Sequence, residues 1–342
     1  MTKPLISLIV PSYRAAKFLP ELCSSVQAQT FSDFEILIVD DGSPDDITAA
    51  VRPFLKDSRF RFWSWRINRG VSKATAFALS QMRGAFWCYP GADDILEPEF
   101  LASRLDALRN CPTAVLAHGP PKIIDENGLL LHLDSPRIRP DAVTPGSRAL
   151  QQLLQHNFLN TPSIFARSWA VRKVLPYFTL SWRYAQDWYL WILLAATGGE
   201  FLWQSEKLHR YRVHSSSLTG RSSMANMRKA ENRLVPLCAL AEAAKFSAIA
   251  REEWRLRGGL LLALWQRRAF QLWLQSNLHP EWLELAARAR GLQATPSIIW
   301  DTIHAFPKIL RTTFTEKKAR RNQSLFVSGI ASIDDPLFRL VI

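Results

Sequence analysis

The chain contains few cysteines and no long apolar run. Its 342 residues include four cysteines, which lie far apart with no short paired spacing. This distribution argues against a zinc site or a disulfide framework and fits a reducing cytosol. The longest apolar stretches, near Trp188–Ala196 and Gly258–Trp265, fall short of the roughly 18 residues that a transmembrane helix needs. The N-terminus also lacks a secretory signal pattern, so we expect a cytoplasmic protein.

Negative charge is scarce in the C-terminal part. The formal net charge is +13, and residues 207–342 contain 22 Lys and Arg against 10 Asp and Glu. A basic surface attracts phosphate groups, whether in nucleic acid, anionic lipid or a phosphorylated substrate. No nucleic-acid recognition motif accompanies this charge, so no nucleic-acid partner is expected.

Short apolar runs alternate with helix-like stretches in the N-terminal part. The runs predict strands and the stretches between them predict helices. Predicted strands lie at 5–10, 34–39, 59–65 and 85–89, with helices at 16–29, 46–54 and 71–82. Such alternation indicates a mostly parallel sheet flanked by helices, whose ligands gather at the carboxyl ends of the strands.

Further downstream the elements are separated by irregular sequence. Residues 134–146 are proline-rich and predict a mobile loop. After this loop we expect a helix at 147–156, a strand at 163–166, a helix at 186–197 and a strand at 207–213.

Two acidic pairs follow predicted strands. Asp40-Asp41 and Asp93-Asp94 are each compatible with a turn or a helix cap, because Asp favours both positions. Two such pairs at one sheet edge are less easily explained by turns alone. Their carboxylates could hold a hard divalent cation, which would neutralise a diphosphate, and they could accept hydrogen bonds from a nucleoside.

These segments, in this order, resemble the inverting glycosyltransferase family 2, which has the GT-A fold. The similar segments are LISLIVPSY from Leu5, QTFSDFE from Gln29, VDDGS from Val39, NRG from Asn68, DDILEP from Asp93, QDWYLW from Gln186, YRVH from Tyr211 and SLT from Ser217. They span about the first 220 residues. The resemblance implies a GT-A domain at 1–220, with a mostly parallel sheet flanked by helices, followed by a basic, Trp-rich, mainly helical region at 221–342.

The same resemblance implies an enzyme that transfers a hexose from a nucleotide-sugar, with a UDP-sugar as the expected donor. It implies Asp187 as the general base that takes a proton from the acceptor hydroxyl, since a single displacement needs one base on the acceptor side. It implies a Mn²⁺ or Mg²⁺ site at Asp93, Asp94 and His214. The implied nucleotide-sugar contacts are Pro11, Tyr13, Asp40, Asp41, Asn68, Gly70, Asp93 and Arg212.

Three positions depart from the family pattern. Gly91 stands where many members carry the first acidic residue of an Asp-X-Asp motif, which affects how Asp93 and Asp94 divide metal and ribose contacts. Gln186 replaces the Glu that usually precedes the base, and Thr75 stands where an Arg is common.

The C-terminal region allows two interpretations. Residues 222–290 have a helical pattern in which tryptophans such as Trp254 and Trp265 alternate with arginines. Tryptophans at this spacing form a core in many proteins. Alternatively, aromatic residues beside arginines suit the headgroups of an anionic bilayer, which favours a peripheral protein on the inner face of the cell membrane that acts on a glycolipid or polysaccharide precursor.

Two other function classes remain as alternatives. A catalytically inactive protein could keep the nucleotide-sugar pocket at the membrane surface without turnover. A dinucleotide-binding oxidoreductase would also show alternating strands and helices. The sequence lacks its Gly-X-Gly-X-X-Gly motif, because Pro11-Ser12-Tyr13 follows Val10, so the oxidoreductase ranks last.

Overall fold

The chain forms two β-sheets with helices on both faces of the larger sheet. The computed structural model describes residues 3–133, 142–178, 182–215, 217, 225–257 and 338–341. Its strands are β1 Ile6–Ser12, β2 Phe34–Asp40, β3 Phe60–Trp65, β4 Phe86–Cys88, β5 Ile95–Leu96, β6 Ala114–His118, β7 Lys122–Ile124, β8 Leu130–Leu133, β9 Val143–Thr144, β10 Phe165–Arg167, β11 Glu200–Trp203, β12 His209–Arg212 and β13 Phe338–Val341.

The central sheet has nine strands in the order β13-β3-β2-β1-β4-β10-β6-β11-β9. Strands β3, β2, β1 and β4 are parallel neighbours, and β10 runs antiparallel between β4 and β6. The apolar runs in β1 and β2 are buried along almost their whole length, as expected for strands covered on both faces. The predicted parallel sheet is therefore confirmed, with antiparallel strands at β10, β9 and β13.

Helices form a layer on each face of this sheet. Side chains alternate along β1, so that Ile9 joins one apolar core while Leu8 and Val10 join the other. The first core receives side chains from α3 Val71–Gln81, α5 Gly146–Leu153, α6 Ser168–Val174, α7 Gln186–Ala195 and α8 Ala225–Ala244. The second receives them from α1 Leu19–Gln27, α2 Ile47–Val51 and α4 Phe100–Asn110. Short 3-10 helices lie at Arg52–Lys56, Thr161–Ser163 and Leu175–Tyr177.

A second sheet of four strands, β5-β12-β7-β8, lies beside the carboxyl edge of the central sheet. Strand β12 pairs antiparallel with β5 and parallel with β7. This sheet brings the segment around Arg212 next to the loop that follows β4, because β5 begins directly after Asp94.

The predicted loop at 134–146 is wrong at its C-terminal end. Val143–Thr144 pairs with β11, and α5 begins at Gly146, while residues 134–141 lie outside the described part of the chain. Pro145 forms the N-cap of α5, so the prolines in this stretch mark a helix start as well as a loop.

The C-terminal region is mainly helical between residues 225 and 257. Helix α8 and residues 248–257 agree with the predicted helices, and Trp254 packs against the first core. Residues 258–337, which include Trp265, lie outside the described residues. Strand β13 pairs with β3 at the edge of the central sheet, which the sequence did not predict. Among the described helices, none has the length and apolar character required to cross a bilayer.

Candidate active site

Asp40 ends β2 and stabilises the turn that follows it. Its Oδ1 accepts the backbone N–H of Ser43 at 2.9 Å, and its Oδ2 accepts the hydroxyl of Ser64 at 2.8 Å. The side chain is buried. Both oxygens therefore hold the carboxyl end of β2 in place against β3.

Asp41 fixes the loop between β3 and α3. Its carboxylate accepts the backbone N–H of Arg69 at 2.6 Å and that of Gly70 at 2.9 Å. Gly42 has φ +65°, and a Cβ on it would lie 2.3 Å from the backbone carbon of Ile67, so only glycine allows this close approach. Burial raises the pKa of Asp41 to about 6, although the two N–H donors act in the opposite direction.

The other predicted nucleotide contacts surround this loop. Pro11 pairs with Val39 in the sheet and is half-buried, Tyr13 is 38% exposed, and Asn68 is exposed. Gly70 has φ +95° and caps the N-terminus of α3. The structure thus collects these predicted residues at the carboxyl edge of β1 and β2, with Tyr13 and Asn68 accessible to a ligand.

Asp93 and His214 contact each other although 121 residues separate them in the sequence. His214 Nε2 lies 2.9 Å from Asp93 Oδ2, and the imidazole packs on the ring of Phe18 with centroids 4.6 Å apart. Both side chains are of types that bind divalent metals. Across the described residues, no group of three or more His, Cys, Asp and Glu side chains is arranged to hold a metal ion.

Asp94 is buried beside that pair and accepts two backbone hydrogen bonds. Its Oδ1 accepts the backbone N–H of Arg212 at 3.0 Å, and its Oδ2 accepts the N–H of Gly91 at 3.1 Å. A Cβ on Gly91 would lie 2.4 Å from Asp94 Oδ2 and 2.8 Å from Asp93 Oδ1. The departure at Gly91 has a structural reason, since the folded-back carboxylate of Asp94 occupies the space that a side chain would need. Burial, and then the charge of Asp93, raises the pKa of Asp94 strongly.

Arg212 is buried and joins three segments. Its guanidinium donates to the carbonyl of Asp93 at 2.8 Å and to that of Glu126 at 2.9 Å, and it forms an ion pair with Glu21 on α1. A fully buried guanidinium with these partners positions the Asp93–Asp94 turn. No sequence motif marks Glu21 or Glu126, because only the fold brings them to Arg212.

Asp187 lies in the first turn of α7. Its Oδ2 accepts the hydroxyl of Thr161 at 2.5 Å, and its Oδ1 accepts the backbone N–H of Trp188 at 2.7 Å. Burial raises the pKa of Asp187, and these two donors act against the rise. A carboxylate with a raised pKa is well suited to accept a proton from a hydroxyl.

Two of the departures from the family pattern meet at one tyrosine. The hydroxyl of Tyr89, directly after β4, lies 2.6 Å from that of Thr75 and accepts a hydrogen bond from Gln186 Nε2 at 3.2 Å. This neutral network connects the carboxyl end of β4 with the start of α7. Thr75 and Gln186 therefore connect the residue before Asp187 with the carboxyl end of β4 through Tyr89.

Polar residues that were not predicted from the sequence lie near Asp187. Thr161 contacts the carboxylate directly, and its neighbour Asn160 lies with Oδ1 2.7 Å from Nε2 of His209 on β12. Burial lowers the pKa of His209 to about 3, so this imidazole is neutral. No motif or spacing in the sequence marks these residues, which converge only because β12 passes the 3-10 helix at Thr161–Ser163.

Similarity to other proteins agrees with this architecture. Residues 7–173 match the family described as Glycosyl transferase family 2. Chondroitin synthase of Escherichia coli is 31% identical over 129 residues, which are 37% of this chain and 19% of that relative. The chain spans from 19% to 23% of the length of several curated relatives.

Two solved structures share the fold. Staphylococcus aureus TarS 1–349 in complex with UDP-GlcNAc has a TM-score of 0.54 and 18% identity, with 83% of each chain covered. Mannosyltransferase PcManGT from Pyrobaculum calidifontis, in complex with GDP-Man and Mn²⁺, has a TM-score of 0.53 and 18% identity, with 92% of this chain and 89% of that chain covered. The family match identifies a glycosyl transferase family 2 domain at residues 7–173, and the shared structures show that the chain has the GT-A fold. The family match supports a glycosyltransferase over the oxidoreductase alternative.

Proposed function

We propose that the protein is an inverting glycosyltransferase that moves a hexose from a nucleotide-sugar, first of all a UDP-sugar, to a hydroxyl acceptor. The observation that carries this proposal is the position of Asp187. Its carboxylate has a raised pKa, is oriented by Thr161, and begins a helix that Tyr89 ties to the carboxyl end of β4. A base in this position suits a single displacement at the anomeric carbon.

The donor binds at the loops that Asp40 and Asp41 stabilise. Tyr13 and Asn68 are accessible and contact the nucleoside, while Pro11 and Gly70 shape the pocket. Asp41 serves as the acceptor at the base edge in addition to its two backbone hydrogen bonds. These roles follow from the resemblance to glycosyltransferase family 2. The position of these residues together at the carboxyl edge of β1 and β2 supports them.

Asp93 and His214 would hold a divalent cation. Their side chains meet at 2.9 Å, and Asp93 is 29% exposed, so this pair fits two ligands of a partly open site. Asp94 and Arg212 are both buried, and their hydrogen bonds hold the backbone turn at Asp93 in place. A Mn²⁺ or Mg²⁺ ion held there would neutralise charge on the departing diphosphate.

The acceptor belongs to a glycolipid or polysaccharide precursor at the inner face of the cell membrane. The excess of Lys and Arg after residue 207 supports contact of this region with an anionic surface. The similarity to chondroitin synthase supports a polysaccharide context. We place the catalytic domain at residues 1–220 and assign the surface contact to residues 221–342.

A donor screen tests the proposal. UDP-, GDP- and dTDP-sugars are added with Mn²⁺, with Mg²⁺ and with EDTA, and both the melting temperature and the release of nucleoside diphosphate are measured. We expect one donor class to raise the melting temperature in the presence of metal and to be consumed. A raised melting temperature without turnover across a broad acceptor panel would favour the catalytically inactive alternative, and no response to any donor would contradict both.

A further inference from the structure

Glu231 lies on α8, in the C-terminal region, and is almost fully buried. Its carboxylate accepts three consecutive backbone N–H groups, from Arg183 at 2.9 Å, Tyr184 at 2.7 Å and Ala185 at 3.0 Å. The next residue, Gln186, begins α7, and Asp187 follows it. A side chain from beyond residue 220 therefore holds the segment that leads into the catalytic helix.

The chemistry of the helix start explains why a carboxylate occupies this place. The N-cap residue of α7 is Ala185, whose side chain cannot accept a hydrogen bond. Successive N–H groups that point to one spot form a site for an anion, and the positive end of a helix favours a negative charge nearby. Hydrogen bonds to a charged acceptor are also stronger than those between neutral groups.

Helix α8 holds Glu231 firmly against α7. The apolar residues Val235, Ala239 and Leu240 on α8 are completely buried in the same core as α7. Glu242 on the same helix behaves differently, because it is partly exposed and pairs with Lys245 at 2.7 Å. On α8, therefore, Glu242 is partly exposed to solvent, whereas Glu231 is hydrogen-bonded to the segment before α7.

We infer that Glu231 is a positioning residue for Asp187, and that the C-terminal region completes the active site. The inference rests on the proposed role of Asp187 as the base. Glu231 fixes the backbone of the three residues before Gln186, and Ser72 on α3 fixes the residue before those three by donating to the carbonyl of Trp182. Loss of the carboxylate lets the start of α7 shift, and a shift of about 1 Å can lower a rate about 100-fold.

Kinetics of Glu231→Gln and Glu231→Ala test this role, with Glu242→Gln as the matched control. Each kcat is divided by the folded fraction and measured well below the melting temperature. We expect kcat to fall about 10-fold in Glu231→Gln and about 100-fold in Glu231→Ala, while the dissociation constant of the donor stays within about twofold. Glu242→Gln should match the wild type. An unchanged kcat in folded Glu231→Ala would overturn the inference.

Hydrogen exchange provides a measurement that does not depend on activity. In Glu231→Gln, amides in residues 182–190 should exchange at least about tenfold faster than in the wild type, because glutamine offers one neutral acceptor oxygen in place of a charged carboxylate. The same amides should be unchanged in Glu242→Gln. Unchanged exchange in Glu231→Gln would contradict the positioning role, even if the protein transfers no sugar. Faster exchange without any wild-type turnover would instead reject the proposed function alone.

Discussion

The backbone N–H of Arg212 donates to Oδ1 of Asp94 over 3.0 Å and joins two segments that lie 118 residues apart. The guanidinium of the same residue reaches the carbonyl of Asp93 and the carboxylate of Glu21. One buried arginine therefore ties the closing segment of the domain to its acidic turn and to α1.

Replacement of this arginine should separate those segments. Arg212→Lys loses the planar set of donors, so we expect the free energy of unfolding to fall by about 3 kcal/mol, as when a buried charge loses its partner. Denaturant unfolding measures this change. Arg210→Lys is the control, because Arg210 lies on the same strand but is partly exposed and pairs with Glu97. Equal stability of the two variants would show that Arg212 does not hold the turn.

Gly91 should not tolerate a side chain while Asp94 keeps its conformation. In Gly91→Ala the new Cβ would clash with Asp94 Oδ2. The Asp94 carboxylate would then have to move and lose its hydrogen bonds from the backbone N–H groups of Gly91 and Arg212. We expect a loss of about 1–3 kcal/mol in unfolding free energy, and weaker Mn²⁺ and donor binding.

A double-mutant cycle with Asp94→Ala isolates the cause of this loss. If the clash with Asp94 is responsible, Gly91→Ala should cost little when Asp94 is already Ala. Additive losses in unfolding free energy would place the damage elsewhere.

Asp41 should titrate near pH 6, which carbon-13 NMR of its carboxyl group can measure. Its folded pKa is raised above the ordinary value of 3.8, so the folded state binds this proton more tightly than the unfolded state does. The resulting stability is fully present below pH 3.8 and is lost as the pH rises through about 6. Asp41→Asn should remove this slope. Asp33→Asn, at an exposed position just before β2, should retain the slope of stability against pH.

The activity should fall at low pH through a group whose pKa lies above that of an ordinary Asp. Asp187 must be ionised to accept a proton, and burial raises its pKa, so kcat should rise with pH through this raised value. The hydroxyl of Thr161 stabilises the ionised form. Thr161→Val should therefore lower kcat and move the acidic midpoint to higher pH.

Thr197→Val is the control for this profile, because its hydroxyl donates to the Leu194 carbonyl at the other end of α7. We expect its kcat and midpoint to equal those of the wild type. An identical pH profile in Thr161→Val would contradict the pairing with Asp187.

The parallel strands were predictable because their apolar runs are buried on both faces. The run from Phe34 to Asp40 and the one from Ile6 to Ser12 are continuous and end in recognisable motifs. Strand β6 is a shorter run, Ala114–His118, between a helix and a proline pair, and it escaped prediction. Its partners β10 and β11 lie far away in the sequence, so their pairing depends on tertiary packing.

Site residues that belong to sequence motifs were predictable. Residues that only hold those motifs in place were not. Asp41, Asp93 and Asp187 stand in recognisable segments, and the structure places all three near the carboxyl edge of the sheet or the helix tied to it. Glu21 and Glu231 carry no sequence signal, because each is one of many glutamates on helices. Glu21 gains its role because the fold brings Arg212 to it, and Glu231 gains its role because the fold brings the start of α7 to it.

Asp187→Asn tests the central claim most directly. Sugar transfer is measured at saturating donor, and the dissociation constant of the donor is measured by calorimetry, with Asp106→Asn on the exposed side of α4 as the control. We predict that Asp187→Asn lowers kcat at least about 1,000-fold while the donor dissociation constant stays within about twofold, and that the control changes neither. Full transfer activity in Asp187→Asn would contradict the assignment of Asp187 as the general base.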